Sequence, residues 1–433
     1  MSQNENIDFV KFNHLLNSKK ITINYLKRKC LSLSQKCRKQ KNFKISNKEK
    51  KFIENNLATS ILNITVKQKL PSFIYWSAKK INNTKRPINR DGIHFYNYYS
   101  LPTPKNYVGP VILDILCPKY KLPKLNNGHL EQAITVNIGK NDIYGRWGKK
   151  KNKYNFSKIK FNSSGKNSWI VGDTYVEPTY CPHSYSRANN LNSKILSYTA
   201  KSPVEKLVKN LNLWPKENFK NFIYSFDKKK INLSIFKIYL NQRGYTLSEL
   251  NSKLKINAVS HESILNNQSK LNKVCRYISL DPSIFQKKFF NEDKIGKTYM
   301  SFKNSILSIR NFKSYKIASM ASSARYPDLF GNFIKVFKKK KIKDILDYAS
   351  SHYLVTGGKI FFYIKNKKIK LTSGDGLWVS SFEKHGFSGD GSLIKISNGE
   401  TLDTNDISEV AKLFDPLYTL ERSYQDNKTW GYE

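Results

Sequence analysis

The stretch "GDTYVEPTYCPHSYS" (172–186) places an acid, Glu177, and a histidine, His183, six residues apart in a segment punctuated by Gly172, Pro178 and Pro182. Proline fixes φ and removes a backbone donor, so this segment is not a helix but a stiff turn between extended runs. Strand-like sequence surrounds it. "VGPVILDILCP", "QAITVNIG", "SWIVGDTYVEP" and "SKILSYTA" are β-rich runs within 91–200, separated by Gly, Pro and Asn turns. Residues 297–400 have the same texture in "GNFIKVF", "SHYLVTGGKIFFYI", "GDGLWVSSF" and "GSLIKISNG". Many short strands at this spacing predict a β-barrel or jelly roll.

Helical sequence precedes each β-rich block. "FVKFNHLLNSKKITINYLKRKCLSLS" spaces its apolar residues as a helix does, with a polar break at "NSKKIT". "INLSIFKIYLNQRGYTLSELNSKLKI" (231–256) has the same layout, broken at "NQRGYT". Each reads as an apolar helix, a turn and a second amphipathic helix, a helix-turn-helix pattern that occurs twice. The expected fold is α+β, a tandem repeat of a helical domain plus a β-barrel. The boundaries are 1–75 (helical), 76–210 (first barrel), 211–295 (helical) and 296–433 (second barrel).

A chain of 433 residues, with 39% hydrophobic and 13% aromatic residues, is globular and exceeds one ordinary core. Its formal net charge of +44 suggests an anionic partner. Lysine and asparagine are spread along the whole chain, however, as biased base composition would produce. Runs such as "GKKKNKYNFSKIK" (148–160) and "KVFKKKKIKD" (335–344) are expected as solvated loops. Nucleic acid is therefore not the expected partner, and the charge serves to attract small anions. The five cysteines are odd in number and lack zinc-finger spacing. The N-terminus has no apolar leader and no run is long enough to span a bilayer. A reduced, cytoplasmic location without membrane contact is expected.

Two of the seven histidines stand in unusual settings. His129 follows a glycine turn in "LNNGHLEQAITVNIG" (125–139) and is expected to open a strand, with Glu131 on its face and Gln132 on the other. His183 lies in the proline-bounded turn. Two imidazoles and one carboxylate on neighbouring strands would cap one face of a metal ion and leave the other open. Fe(II) suits such a set, and zinc also fits the ligand types. A surface pair or a hydrogen-bonded Glu–His pair is the competing reading, and Glu131 is a rival carboxylate. His352 and His385 in the second β-block have Glu383 only two residues before His385, so a structural role without metal is expected there.

Longer blocks carry a resemblance. "RPINRDGIHFYNYYSL" (86–101), "LDILCP" (113–118), "LNNGHLEQAITVNIG" (125–139), "IYGRWG" (143–148), "GDTYVEPTYCPHSYS" (172–186) and "LSYTA" (196–200) resemble the 2-hydroxyethylphosphonate dioxygenase family. "GKTY" (296–299), "ASMASSARYPDLFGNF" (318–333), "HYLVTGG" (352–358) and "WGYE" (430–433) continue the resemblance in the same order. It implies two tandem units, each a helical domain followed by a cupin barrel. It implies Fe(II) held in the first barrel by His129, Glu177 and His183. The substrates would be 2-hydroxyethylphosphonate and O2, and the products hydroxymethylphosphonate and formate, with no 2-oxoglutarate. The family pattern maps Arg90, Tyr98, Asn126 and Ser197 onto substrate-binding positions, together with Lys20 or its neighbour Lys19. A homo-oligomer is possible.

Two alternatives remain at this level. Methylphosphonate synthase uses the same substrate with glutamine in place of the carboxylate ligand; Glu177 argues against it, while Gln132 is the residue to watch. A helix-turn-helix/cupin transcription regulator would read DNA with the helix of "INYLKRKCLSLS". There Lys27, Arg28 and Lys29 suit phosphates better than base edges.

Overall fold

A computed structural model gives the fold. It describes all residues except 1–5, 68, 91, 120, 122, 151–152, 200, 203, 212, 286–290, 338–342, 429 and 431–433. Ala200, part of both lysine runs and the last three residues of "WGYE" thus lie outside the described residues.

The N-terminal helices are Phe9–Ser18, Ile23–Lys29, Leu31–Arg38 and Asn47–Asn56. Side chains of Asp8, Thr22 and Ser46 accept from backbone N–H groups of the first turns, and Ser46 forms a capping box with Glu49. The second predicted helix is divided at Cys30, whose extended backbone (φ −155°) interrupts the hydrogen-bond ladder. Ile7, Phe12, Leu16, Leu26, Leu33 and Ile53 are buried together between these helices. Helices Ile231–Gln242, Leu247–Leu254, His261–Leu265 and Gln268–Tyr277 enclose a separate core around Phe236, Leu250 and Val274.

Most of the strands form two β-units. The first has a seven-stranded sheet and a three-stranded sheet. The seven-stranded order runs Thr298–Met300, Thr174–Glu177, Ala133–Asn137, Ser193–Thr199, Val111–Ile115, Ile93–Ser100 and Arg86–Arg90. The three-stranded order is His183–Arg187, Ile143–Lys150 and Lys153–Ile159. The lysine run at 148–160, expected as a loop, is largely the hairpin of the last two strands. Alternation along a strand sends one row inward and the next outward. Tyr175 thus joins an interior cluster with Tyr96, Leu113, Trp147, Tyr185 and Ile195. Val176 joins Ile134, Val136 and Leu196, which pack on Phe333, Leu354 and Ile394 of the second β-unit.

The second unit is an eight-stranded sheet, and its edge strand comes from far upstream: Phe73–Trp76 pairs with Gly376–Val379. The converse holds for Thr298–Met300, which pairs with Thr174–Glu177 of the first unit. The boundary at 75/76 therefore cuts a strand of the second sheet, and the strand just after 295/296 belongs to the first. Such an exchange is invisible to local pattern because pairing partners lie more than 100 residues apart.

Candidate metal centre

Glu177 ends the Thr174–Glu177 strand and His183 begins His183–Arg187. Pro178 and Pro182 bound the turn between them, in which Tyr180 takes a left-handed conformation (φ +49°). His129 does not open a strand as expected. The strand starts at Ala133, and His129 lies in the preceding irregular segment, where its carbonyl accepts from the Tyr180 N–H at 2.7 Å. Gly128, at φ +72°, permits this approach: a Cβ there would meet the Tyr180 backbone at 2.7 Å. The loop bearing one histidine is thereby laid against the turn bearing the other.

One donor atom from each of His129, Glu177 and His183 lies within 4.8 Å of the others, and among the described residues this is a group able to hold a metal ion. The Glu177 Oε1 is 3.6 Å from His129 Nε2 and 3.3 Å from His183 Nδ1. Glu177 is 1% exposed, so its charge is held by specific partners. Trp147 Nε1–H donates to the other oxygen, Oε2, at 2.8 Å. Burial pushes the Glu177 carboxyl up, but the charge of His183 and the hydrogen bonds from His129 and Trp147 outweigh it and hold the group below its usual range. The Glu177 hydrogen bond raises His129, against burial.

Backbone acceptors orient the rings. His129 Nδ1 is 2.6 Å from the Glu131 carbonyl, and His183 Nδ1 is 2.9 Å from the Cys181 carbonyl. Each Nδ1–H donates there; His129 Nε2 is turned to Glu177 Oε1, and His183 Nε2 to Asn126. Asn126 fixes His183 further. Its Oδ1 accepts from the backbone N–H of His183 (2.8 Å) and of Gly128 (3.1 Å), so its amide N–H faces His183 Nε2 at 2.9 Å.

This donor set fits a divalent transition metal. Metal–ligand bonds of about 2.1 Å at right angles put ligand atoms about 3 Å apart; the 3.6 Å between Glu177 Oε1 and His129 Nε2 is near that, whereas the His183 nitrogen placed 3.3 Å from Oε1 is Nδ1. One carboxylate leaves one positive charge on the centre, and three protein donors leave coordination positions open. The rival carboxylate is not used: Glu131 enters through its backbone carbonyl. Gln132 turns its amide to the Lys201 carbonyl at 3.2 Å.

The remaining predicted residues divide. Arg90 donates to the Lys124 carbonyl at 2.7 Å and stands over the Tyr96 ring, beside the loop that carries Asn126. Tyr98 is half-buried, with burial raising its hydroxyl and Arg90 and Glu177 both acting on it. Ser197 accepts from Thr135 Oγ1 at 3.1 Å, one row below Glu177 on the inner face. Lys20 is joined elsewhere: its ammonium lies 3.8 Å over the Trp430 ring, and Lys19 is exposed. Trp147 was not singled out from the sequence. Its place opposite His183 follows from strand register, which local spacing does not reveal.

A β-fold of exchanged units holding two imidazoles and one carboxylate defines the class of mononuclear metal-dependent cupin enzymes. Residues 82–200, which contain all three donors, match the model of the 2-hydroxyethylphosphonate dioxygenase cupin-like domain. The chain is 36% identical over 370 residues to 2-hydroxyethylphosphonate dioxygenase of Streptomyces viridochromogenes, covering 83% of each protein. It belongs to the 2-hydroxyethylphosphonate dioxygenase family. A solved variant of a 2-hydroxyethylphosphonate dioxygenase is 32% identical and superposes with a TM-score of 0.86 over 96% of this chain and all of the other. PhpD with cadmium, complexed with hydroethylphosphonate, is 32% identical, with a TM-score of 0.80 over 96% of this chain and 99% of that one. A Streptomyces albus enzyme of the same name, 12% identical, shares the fold with a TM-score of 0.77 over 98% of each chain.

Proposed function

We propose that this chain is an Fe(II)-dependent dioxygenase that cleaves the carbon–carbon bond of 2-hydroxyethylphosphonate with O2, giving hydroxymethylphosphonate and formate. The observation that carries the reading is the convergence of His129, Glu177 and His183 on one point, within a chain of this family. Substrate plus O2 contains every atom of the two products, so no 2-oxoglutarate is needed.

His129 would offer Nε2, His183 a ring nitrogen and Glu177 Oε1 to the ion. Bound iron supplies the one-electron chemistry that lets O2 react with the substrate. The protein's part is orientation. Trp147 occupies Oε2 and keeps the acid from taking a second coordination position. Arg90 offers a planar fork of donors to the phosphonate, with Tyr98, Asn126 and Ser197 adding neutral hydrogen bonds. Asn126 is held by its two backbone contacts with its amide on His183 Nε2, beside the centre. Lys20 is the substrate contact least supported, given its seat on Trp430.

The outer architecture follows the same reading: a duplicated chain with helical units in 1–75 and 211–295, a catalytic barrel in 76–210 and a second, structural barrel in 296–433, with Phe73–Trp76 and Thr298–Met300 exchanged across those boundaries, working in the cytoplasm. No helix among the described residues is long and apolar enough to cross a membrane. Membership in an enzyme family leaves the regulator reading without support.

The test is turnover of 2-hydroxyethylphosphonate by Fe(II)-loaded protein in oxygenated buffer, followed by ³¹P NMR and formate assay. Hydroxymethylphosphonate with equimolar formate is expected. Methylphosphonate as the phosphorus product would move the chain to the synthase reading, and absence of O2 uptake would overturn both.

A further inference from the structure

Lys297 is 3% exposed, an uncommon depth for an ammonium group. It immediately precedes Thr298–Met300, the strand that the second half of the chain lends to the first sheet. In that pairing Val176 faces Thr298, so the register carried one step further puts Lys297 opposite Glu177. Its Nζ stands 3.9 Å above the centre of the Trp147 ring and 5.9 Å from that of Tyr175. Its polar neighbours are Ser157 Oγ at 3.4 Å and Asp293 at 4.0 Å. Gly296, at φ +85°, packs against Pro178, the residue that ends the Glu177 strand.

The order of contacts is therefore ammonium, indole, carboxylate. A cation over the face of an indole is held by the ring's negative quadrupole. It also draws electron density from the ring, which makes the N–H a stronger donor. The same contact fixes the ring plane, so Nε1–H stays aimed at Glu177 Oε2. We propose that Lys297 is a positioning residue for the metal centre, acting through Trp147 to hold Glu177 in a one-oxygen presentation. This rests on the reading of Glu177 as a metal ligand. Loss of the cation weakens the indole bond, frees Oε2 to swing toward the ion and closes a position the reactants require.

The experiment compares Lys297→Met, which keeps the apolar stem, with Lys297→Arg, which keeps a stacked cation, in the full-length chain. Lys297→Met is expected to weaken Fe(II) binding by about tenfold or more, the usual scale for a residue one contact removed from a ligand. The loss should fall on kcat more than on KM. In metal-free protein its Trp147 indole proton should move to higher field in the NMR spectrum. Lys297→Arg should restore Fe(II) affinity to within about threefold of the parent, since the cation–π contact survives. Adding Lys297→Met to Trp147→Phe should cost nothing further, because both remove one pathway. Unchanged Fe(II) affinity and indole shift in Lys297→Met, or a full additional loss in the double variant, would overturn the proposal. If the Met variant does not fold, Lys297→Gln is read against the same outcomes. Glu177→Ala separates the two ideas. Parental Fe(II) affinity in Glu177→Ala defeats the ligand reading itself, whereas its loss alongside an unaffected Lys297→Met defeats only the positioning role.

Discussion

The centres of the two β-units are built on one plan and filled differently. "GDTYVE" (172–177) and "GDGLWV" (374–379) occupy the same place in their sheets. Asp173 accepts from the Phe302 N–H and Asp375 from the Ala78 N–H, both at 2.8 Å, and each also bonds a tyrosine of its unit's borrowed strand, Tyr299 or Tyr75. In register, Val379 stands where Glu177 stands, since Glu177 faces Ala133 and Val379 faces Ser351. Asp347 and Lys395 likewise take the positions of His129 and Ser197. His385 retains the pose of His183, with Nδ1 on the carbonyl two residues earlier, but its Nε2 meets the Tyr353 hydroxyl at 2.8 Å. Lys395 is ion-paired with Asp347, which also accepts from Tyr353. The first centre gathers a partial shell of donors; the second answers its acid with the chain's own ammonium.

Exchanging the fates of the two acids is the strongest way to break this contrast. Glu177→Ala should lose Fe(II) binding and turnover by more than the roughly 100-fold that outer-shell residues cost, and should cost the metal-free protein about 1 kcal/mol for the Trp147 hydrogen bond it gives up. Asp347→Ala should do the reverse. It strands a mostly buried lysine and should destabilise by about 3 kcal/mol in chemical denaturation, while activity per folded molecule stays near parental. A retained midpoint in Asp347→Ala, or loss of activity without loss of stability, would merge the roles.

Acid sharpens the comparison next. Burial holds His352 down to about 3, against the weaker effect of the Pro102 carbonyl. Its unfolded value is near 6.5, so its contribution is intact above that pH and lost as pH falls toward the folded value. Stability should drop on the order of 2 kcal/mol between pH 7 and pH 5, and His352→Gln should lack that component. His129 has the opposite sign in metal-free protein. Its raised value makes its contribution present below about pH 6.5 and lost as pH rises through the folded value. The smallest effect belongs to Ser197→Ala. Losing one neutral hydrogen bond should raise KM about threefold to tenfold with kcat nearly unchanged, and a parental KM would remove Ser197 from the pocket.

Much of the site was legible because it is local. Glu177 and His183 share one turn, and the prolines around them are visible in the sequence. His129 needed the longer resemblance, and its strand position was misjudged because the Tyr180 contact draws it out of the sheet. The β-runs were readable from composition and turns. The strand exchange, the Lys297–Trp147–Glu177 order and the Lys395–Asp347 pair were not, since each depends on register between segments distant in sequence. The division at Cys30 also escaped the apolar periodicity, which continues across it.

The borrowed strands set where this polypeptide tolerates being divided. Expression of 76–210 alone would leave Thr174–Glu177 as a bare sheet margin, with unpaired amides open to other copies of the fragment. A folded chain nicked between helices, for instance in the turn near Gly244, would instead keep both exchanged pairings, since each runs between the two pieces and ties them together.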